Sequence, residues 1–215
     1  MHPHLAGIYH DIGSVYFEMQ EHVRAFEYHE KSLKIRRNAL PRAHPDLATS
    51  YDSIGVLHYS MGEYSKALIN YEKSFEVRRE VLPVTHIDLA TSYNNIGQVY
   101  SCMNEHSKAL EYFEKGLVIR EAALPPTHLH LAASYSSIAR EYAAMGEDSK
   151  AREYHNKSGE IMKKHLPTNA SHSNHKLRPV RRNVFAQDSE DERGPLPQNR
   201  PQHHKKRSSA HTPRI

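Results

Sequence analysis

A repeat of 42 residues runs through most of the chain and limits the folds that the chain can adopt. Residues 44–85 and 86–127 are identical at 21 of 42 positions, without a gap. A unit of this size cannot bury its own apolar surface, so neighbouring units must stack into an array. The positions that recur in all four units include His2, His44, His86 and His128; Tyr9, Tyr51, Tyr93 and Tyr135; Ile12, Ile54, Ile96 and Ile138; and Met19, Met61, Met103 and Met145.

Each unit has the pattern of two consecutive helices. In the second unit Pro45 suits the first position of a helix, and apolar residues then recur every three or four residues up to Met61. A second helix is predicted from about Glu63 to Leu82, because Pro83 cannot continue it. Glycine and asparagine tolerate the left-handed backbone of a helix end. The breaks between helices fall on Gln20, Gly62, Asn104 and Gly146.

These features predict an all-α protein, an α-solenoid of four helix-turn-helix repeats with a disordered C-terminal tail. The last repeat has a polar second helix, which suits a terminal, cap-like position. Small residues at Gly13, Gly55, Gly97 and Ala139 are expected where two helices approach closely. The expected boundaries are residues 2–43, 44–85, 86–127 and 128–167 for the repeats and 168–215 for the tail.

The chain has 18 histidines, which raises the question of a metal site. The repeated histidines, His2 to His128, each precede a first helix. Helices of successive units stack about 8–10 Å apart, whereas the ligands of one zinc ion lie about 2.0–2.1 Å from it. Equivalent histidines therefore cannot share an ion, and a capping or packing role is predicted. The sequence predicts no metal site and no cofactor.

The last 48 residues differ in composition from the rest. Residues 168–215 contain ten Lys or Arg, four Asp or Glu and five prolines, a composition typical of a disordered basic tail. A nuclear-import signal, electrostatic contact with nucleic acid or acidic lipid, and a plain solubilising extension are the alternatives. Ser189 lies in an acidic context and Ser208 in a basic one, so both are candidate phosphorylation sites.

Known catalytic and membrane signals are missing from the sequence. The single cysteine, Cys102, excludes a disulfide framework and lies near a helix C-terminus, where the dipole disfavours a thiolate. No phosphate-binding glycine loop, Gly-x-Ser-x-Gly motif or His-Glu-x-x-His motif occurs. No apolar run approaches the roughly 20 residues of a membrane span. We therefore expect a non-enzymatic, cytoplasmic protein, or a nuclear one if the basic tail directs import.

The repeat resembles a known family. The positions Tyr93, Ile96-Gly97, Tyr100, Ala109 and Phe113 resemble the signature of the tetratricopeptide repeat. The stretches HIDLATSYNNIGQVY (86–100) and KALEYFEKGLVIRE (108–121) resemble the 42-residue form found in kinesin light chains. The resemblance covers residues 2–167 and implies a superhelix that binds extended peptides in a concave groove lined by its first helices.

The resemblance also implies which side chains line the groove. Asparagine and glutamine amides suit a peptide backbone because they donate and accept without a charge. Arg140 is the only cation expected on this surface, and Asp11 and Asp52 oppose it, so a clamp for an acidic C-terminus is not expected. The candidate groove residues are Asn94, Asn95, Gln98 and Arg140 as polar contacts, with Phe17 and Tyr59 as apolar ones.

The predicted function is a non-enzymatic interaction scaffold or adaptor that binds a partner peptide, with no small-molecule substrate. One alternative is a targeting or regulatory fragment of a larger enzyme, or of a motor adaptor of the kinesin-light-chain type. The chain begins directly with a full repeat, which favours that alternative. A lesser alternative is nucleic-acid association through the basic tail.

Overall fold

The computed structural model describes residues 3–165, which form eight helices and no strand. The helices pair into four consecutive hairpins, and each hairpin packs on the next, so the predicted α-solenoid is confirmed. The first helices of the hairpins have odd numbers and the second helices even numbers. The bounds are α1 Pro3–Glu18, α2 His22–Ala39, α3 Pro45–Ser60, α4 Tyr64–Val81, α5 Ile87–Cys102, α6 His106–Ala123, α7 Leu129–Ala144 and α8 Asp148–His165.

Histidine caps three of the first helices. The Nδ1 atom of His44 accepts a hydrogen bond from the backbone N–H of Asp46 at 3.1 Å. His86 and His128 make the same bond with the residue two positions later, at 3.2 and 3.1 Å. Each bond satisfies a backbone donor that the first turn of a helix leaves free. The repeated histidine is therefore a helix cap at these three positions.

The turn inside each hairpin uses a left-handed residue. Gly62 and Gly146 have φ angles of 75° and 79°, and Gln20 and Asn104 have 61° and 60°. The following N–H closes the turn, for example from Glu63 to the carbonyl of His58 at 2.8 Å. This is the Schellman arrangement. Gln20 adopts it without being glycine or asparagine, so the turn geometry is kept even where the side chain does not favour it.

Glycine permits close helix packing inside the first three hairpins. A Cβ atom on Gly97 would lie 2.8 Å from the ring of Phe113, and one on Gly55 would lie 2.8 Å from the ring of Tyr71. Gly13 faces His29 in the same way, at 2.9 Å. These aromatic rings are buried, so α1, α3 and α5 contact them directly. The close approach predicted for these glycines is observed.

A column of apolar residues forms the core along the array. Ile54, Ile96 and Ile138 are at most 1% exposed, one in each of the last three hairpins. Tyrosine rings stack between the two helices of a hairpin, with centroids 5.4 Å apart for Tyr100 and Tyr112 and 5.7 Å apart for Tyr142 and Tyr154. The repeated tyrosines Tyr93 and Tyr135 pack against the same partners, with centroids 6.1 Å from those of Tyr112 and Tyr154, so this column serves packing.

The tail predicted over 168–215, with the candidate phosphorylation sites Ser189 and Ser208, lies outside the described residues.

Candidate functional site

The six predicted groove residues all lie on first helices. Phe17 is on α1, Tyr59 on α3 and Arg140 on α7, while the three amide side chains are on α5. All except Arg140 are half-buried, and the Arg140 side chain is 61% exposed. The three amides of α5 make no hydrogen bond to any other group of the described residues. The amide side chains are Asn94, Asn95 and Gln98.

A shallow depression of about 200 Å³ lies between α1 and α3. Phe17 and Val56 give it an apolar lining, and Asp52 adds a carboxylate. One oxygen of Asp52 pairs with the guanidinium of Arg78, while the other, Oδ1, is buried with no hydrogen-bond partner among the described residues. Burial raises the pKa of Asp52, and the charge of Arg78 opposes that rise. The depression therefore offers a chiefly apolar surface, because the unpaired oxygen of Asp52 is buried.

Tyr59 makes a contact that the sequence did not indicate. Its hydroxyl lies 3.2 Å from the Sγ atom of Cys102 on α5, and its ring packs edge-on against Tyr64 at 5.7 Å. The hydrogen bond to Cys102, followed by burial, raises the pKa of Tyr59 to about 12. The hydroxyl is thus engaged within the protein, and the exposed part of the ring is what remains for a ligand.

A buried carboxylate lies beneath Arg140. Glu141 is completely buried and accepts hydrogen bonds from Ser101 at 2.7 Å and from Arg140 Nε at 3.2 Å. The Nδ1 atom of His106 lies 2.9 Å from its second oxygen. Repeat comparison marks Glu141 as unusual, because the equivalent residues are apolar, but nothing in the sequence identifies its partners. Those equivalents are Val15, Leu57 and Val99.

The ion pair with Glu141 changes the expected character of Arg140. Its Nε atom lies 3.2 Å from a carboxylate oxygen, which partly offsets its charge. Asp11, which is exposed, and Asp52 lie toward the other end. The first-helix surface has no cluster of cations in the described residues that could hold an acidic terminus.

The described residues contain no group of three or more His, Cys, Asp or Glu side chains arranged to hold a metal ion. None of their helices is long and apolar enough to cross a membrane.

Two solved structures share this fold over most of the chain. BtubC (BKLC) from P. vanneervenii has a TM-score of 0.71 at 21% identity, covering 88% of this chain and 73% of that one. A putative kinesin light chain with nearly identical TPR-like repeats from Podosopora anserina has a TM-score of 0.69 at 22% identity, covering 79% and 81%. Identities this low establish the shared fold alone.

The same fold occurs in a chain named as an enzyme. Aspartyl phosphate phosphatase F from Bacillus subtilis has a TM-score of 0.66 at 16% identity. The match covers 76% of this chain and 41% of the phosphatase. No curated protein sequence matches the chain significantly.

The family model of the tetratricopeptide repeat matches the chain in three overlapping segments, residues 4–80, 66–122 and 88–164. Together these segments span all four helical hairpins. This repeat is generally a module for interaction between proteins, without catalytic activity of its own. The resemblance stated from the repeat pattern is confirmed, and the chain belongs to the tetratricopeptide repeat family.

Proposed function

We propose that the chain is a non-enzymatic scaffold that binds an extended peptide segment of a partner protein across α1, α3, α5 and α7. The observation that carries this proposal is the set of free amides on α5. Asn94, Asn95 and Gln98 are half-buried and have no partner among the described residues. An amide side chain both donates and accepts, so it matches the alternating N–H and C=O groups of an extended backbone.

Apolar contacts support the same surface. The depression between α1 and α3 exposes part of Phe17 and of Val56, which is 37% exposed. Tyr59 adds an aromatic ring between this depression and α5. A ligand that spans these features would place one or two apolar side chains against the rings and its backbone over the amides. Burial of such side chains would add to the affinity that the amides provide.

The charges of the surface favour a neutral or basic ligand. Asp11 is exposed on α1, and Asp52 on α3 is 20% exposed with its charge partly offset by Arg78. Arg140 is the one Lys or Arg on the first helices of the described residues, and its Nε is paired with Glu141, so there is no set of cations to clamp an acidic terminus. We therefore propose that the ligand is an internal segment with a lysine, an arginine or a free N–H donor near its apolar residues.

Peptide display followed by calorimetry tests the proposal. Peptides selected on the 215-residue chain are measured by titration against the chain, an Asn94→Ala/Asn95→Ala variant and an Asn38→Ala control on the exposed surface of α2. Loss of two backbone hydrogen bonds should weaken binding by about tenfold or more. The control should bind normally. Equal affinity for all three proteins would remove the amides from the site.

A second candidate is a regulatory arm of a larger enzyme or motor adaptor. The similarity to aspartyl phosphate phosphatase F, of which this chain covers 41%, and to a putative kinesin light chain favours it. The transcript in the source cells would distinguish the two candidates, because this one requires a coding sequence that extends beyond residues 1–215.

The remaining predictions concern location and the tail. Cytoplasmic location, and nuclear import through the basic tail, stay predictions from sequence. Nucleic-acid association through residues 168–215 predicts binding that collapses between low and moderate salt and is lost when the tail is deleted. Binding that survives both changes would contradict that alternative.

A further inference from the structure

An arginine–serine pair joins each hairpin to the next. Arg36 donates from Nη1 to Ser50 Oγ at 2.7 Å, across the junction of α2 and α3. The same bond occurs from Arg78 to Ser92 at 2.8 Å and from Arg120 to Ser134 at 2.5 Å. The serines are at most 2% exposed. All three junctions of the described array therefore use one polar pair at equivalent positions.

The two ends of the array replace this polar pair with apolar residues. The arginine position recurs in α8 as Met162, and the serine position recurs in α1 as Ile8. Met162 is 55% exposed and Ile8 is 54% exposed. Either residue alone would be an ordinary exposed side chain. Together they are the two halves of one junction, and both have changed from polar to apolar.

Helix α1 has further exposed apolar residues at positions that form junction contacts in the other first helices. Val15 is 55% exposed, although the equivalent residues Leu57 and Val99 are fully buried against the preceding hairpin. Met19, also on this side of the hairpin, is 59% exposed. The exposed face of α1 is thus apolar at the positions through which α3, α5 and α7 contact their neighbours.

The charges of the two ends are complementary. Helix α1 contains Asp11 and Glu18 and no Lys or Arg. Helix α8 contains five Lys or Arg and three acidic residues. At the junction where Phe26 packs on His58 with ring centroids 5.3 Å apart, the equivalent end residues are Arg152 and Tyr16. The Tyr16 ring already stacks on Tyr28 and lies 5.5 Å from the guanidinium of Arg24, so Arg152 would approach the edge of the ring.

We infer that a second copy of the chain docks head to tail, with its α1 on the α7–α8 surface of the first copy. In this arrangement α1 of the second copy packs on α7 and α8 of the first copy, as α3 packs on α1 and α2 within one chain. Ile8 of one copy then meets Met162 of the other. The interface is heterologous, so each dimer keeps one free end of each kind. Association therefore continues into longer assemblies as concentration rises. This inference does not depend on the proposed peptide ligand.

Sedimentation velocity of the full 215-residue chain over a wide range of concentration tests the inference. The average mass should rise with concentration. Ile8→Asp should abolish association by placing a charge on the α1 end of the array. Met162→Asp should abolish it by placing a charge on the α8 end. Val118→Asp, which charges another exposed helical valine, should associate like the unchanged chain. Circular dichroism checks that the variants keep their helicity.

Mixing the two blocked variants distinguishes head-to-tail docking from a symmetric dimer. The Ile8→Asp chain keeps an unchanged α8 end, and the Met162→Asp chain keeps an unchanged α1 end. An equimolar mixture should therefore form heterodimers and nothing larger. A symmetric dimer through α1 would be insensitive to Met162→Asp, which would overturn the inference. A chain that stays monomeric at every concentration would overturn it as well, as would association that persists in both variants.

Discussion

Glu141 on α7 and His106 on α6 are joined by a contact of 2.9 Å between Oε2 and Nδ1, which links the third hairpin to the fourth. The carboxylate is completely buried, at a position that is apolar in the other three repeats. A buried charge is tolerated only when its oxygens are hydrogen-bonded. Ser101 and Arg140 supply the remaining bonds, so the fourth hairpin is attached through a polar cluster.

Replacing Glu141 should therefore loosen this junction. Glu141→Ala removes three hydrogen bonds and leaves a cavity, and we expect a loss of about 2–4 kcal/mol in the free energy of unfolding. Urea denaturation followed by circular dichroism measures it. The control is Glu147→Ala, an exposed residue paired with Lys150, which should change stability by less than about 0.5 kcal/mol. Equal effects of the two substitutions would argue against a structural role for the cluster.

Arg78 is expected to stabilise the second junction through several bonds at once. It donates to Ser74 and Ser92 and pairs with Asp52, which is 20% exposed. Arg78→Met leaves that carboxylate without its partner, and a loss of about 2–3 kcal/mol is expected.

Two measurements separate the ion pair from the packing of the Arg78 stem. Arg79→Met, a change at the exposed neighbouring arginine, should cost less than about 1 kcal/mol. Adding Asp52→Asn to Arg78→Met should recover part of the loss, because the unpaired charge is then removed. A double variant that is as unstable as the sum of the single variants would contradict the pairing.

The stability of the first hairpin should depend on pH. Burial, followed by the charges of His10 and Arg36, lowers the pKa of His29 to about 4 from an ordinary value of 6.5. Between these two values the unfolded state binds more protons than the folded state, so stability falls as the pH is lowered from 6.5 to 4. The full shift corresponds to about 3 kcal/mol at most. Burial lowers the pKa of His10 as well, which acts in the same direction.

Thermal unfolding between pH 7 and pH 4 measures this dependence. His29→Phe, which introduces the residue that the third repeat has at this position, should flatten the profile. His155→Phe changes the exposed equivalent in the fourth repeat and should leave the profile as it was. If the two variants lose stability equally on acidification, another group is responsible.

Gly97 should not tolerate even a methyl group. The Cβ atom of Gly97→Ala would lie 2.8 Å from the ring of Phe113, which is 2% exposed, so the ring or the helix must shift. We expect a loss of about 1–3 kcal/mol. Gly159→Ala on α8 is the matched change, since no atom lies within 4 Å, and it should stabilise the helix by about 0.5–1 kcal/mol. Chemical denaturation of both variants shows whether packing or helix propensity dominates.

Much of the fold follows from the repeat alone. The second helix of the second repeat, expected from about Glu63 to Leu82, is observed as Tyr64–Val81 with those two residues as its caps. Local patterns suffice here because apolar spacing, helix caps and proline act within a few residues. The fourth repeat departs from this pattern at one position, where alanine stands in place of glycine. Ala139 replaces glycine because its opposite residue, His155, faces solvent and leaves room for a methyl group.

The contacts between repeats could not be predicted in the same way. Glu141 is recognisable as a departure from the repeat, but its partners Ser101 and His106 belong to the preceding repeat, and histidine also occurs at the His106 position in the first repeat, as His22. The hydroxyl of Tyr59 likewise bonds to Cys102, which is 43 residues away. Such contacts depend on how far one hairpin is rotated against the next, and no residue within a single repeat encodes that rotation.

The arginine and serine of each junction are separated by only 14 residues. Contacts between helices therefore form chiefly between neighbours in the chain, and little loop-closure entropy opposes them. Such a chain should fold quickly, and any adjacent pair of hairpins can act as the nucleus. Destabilising one junction then changes where folding starts more than how fast it finishes, so kinetics measured on junction variants would rank the three junctions by their order of formation.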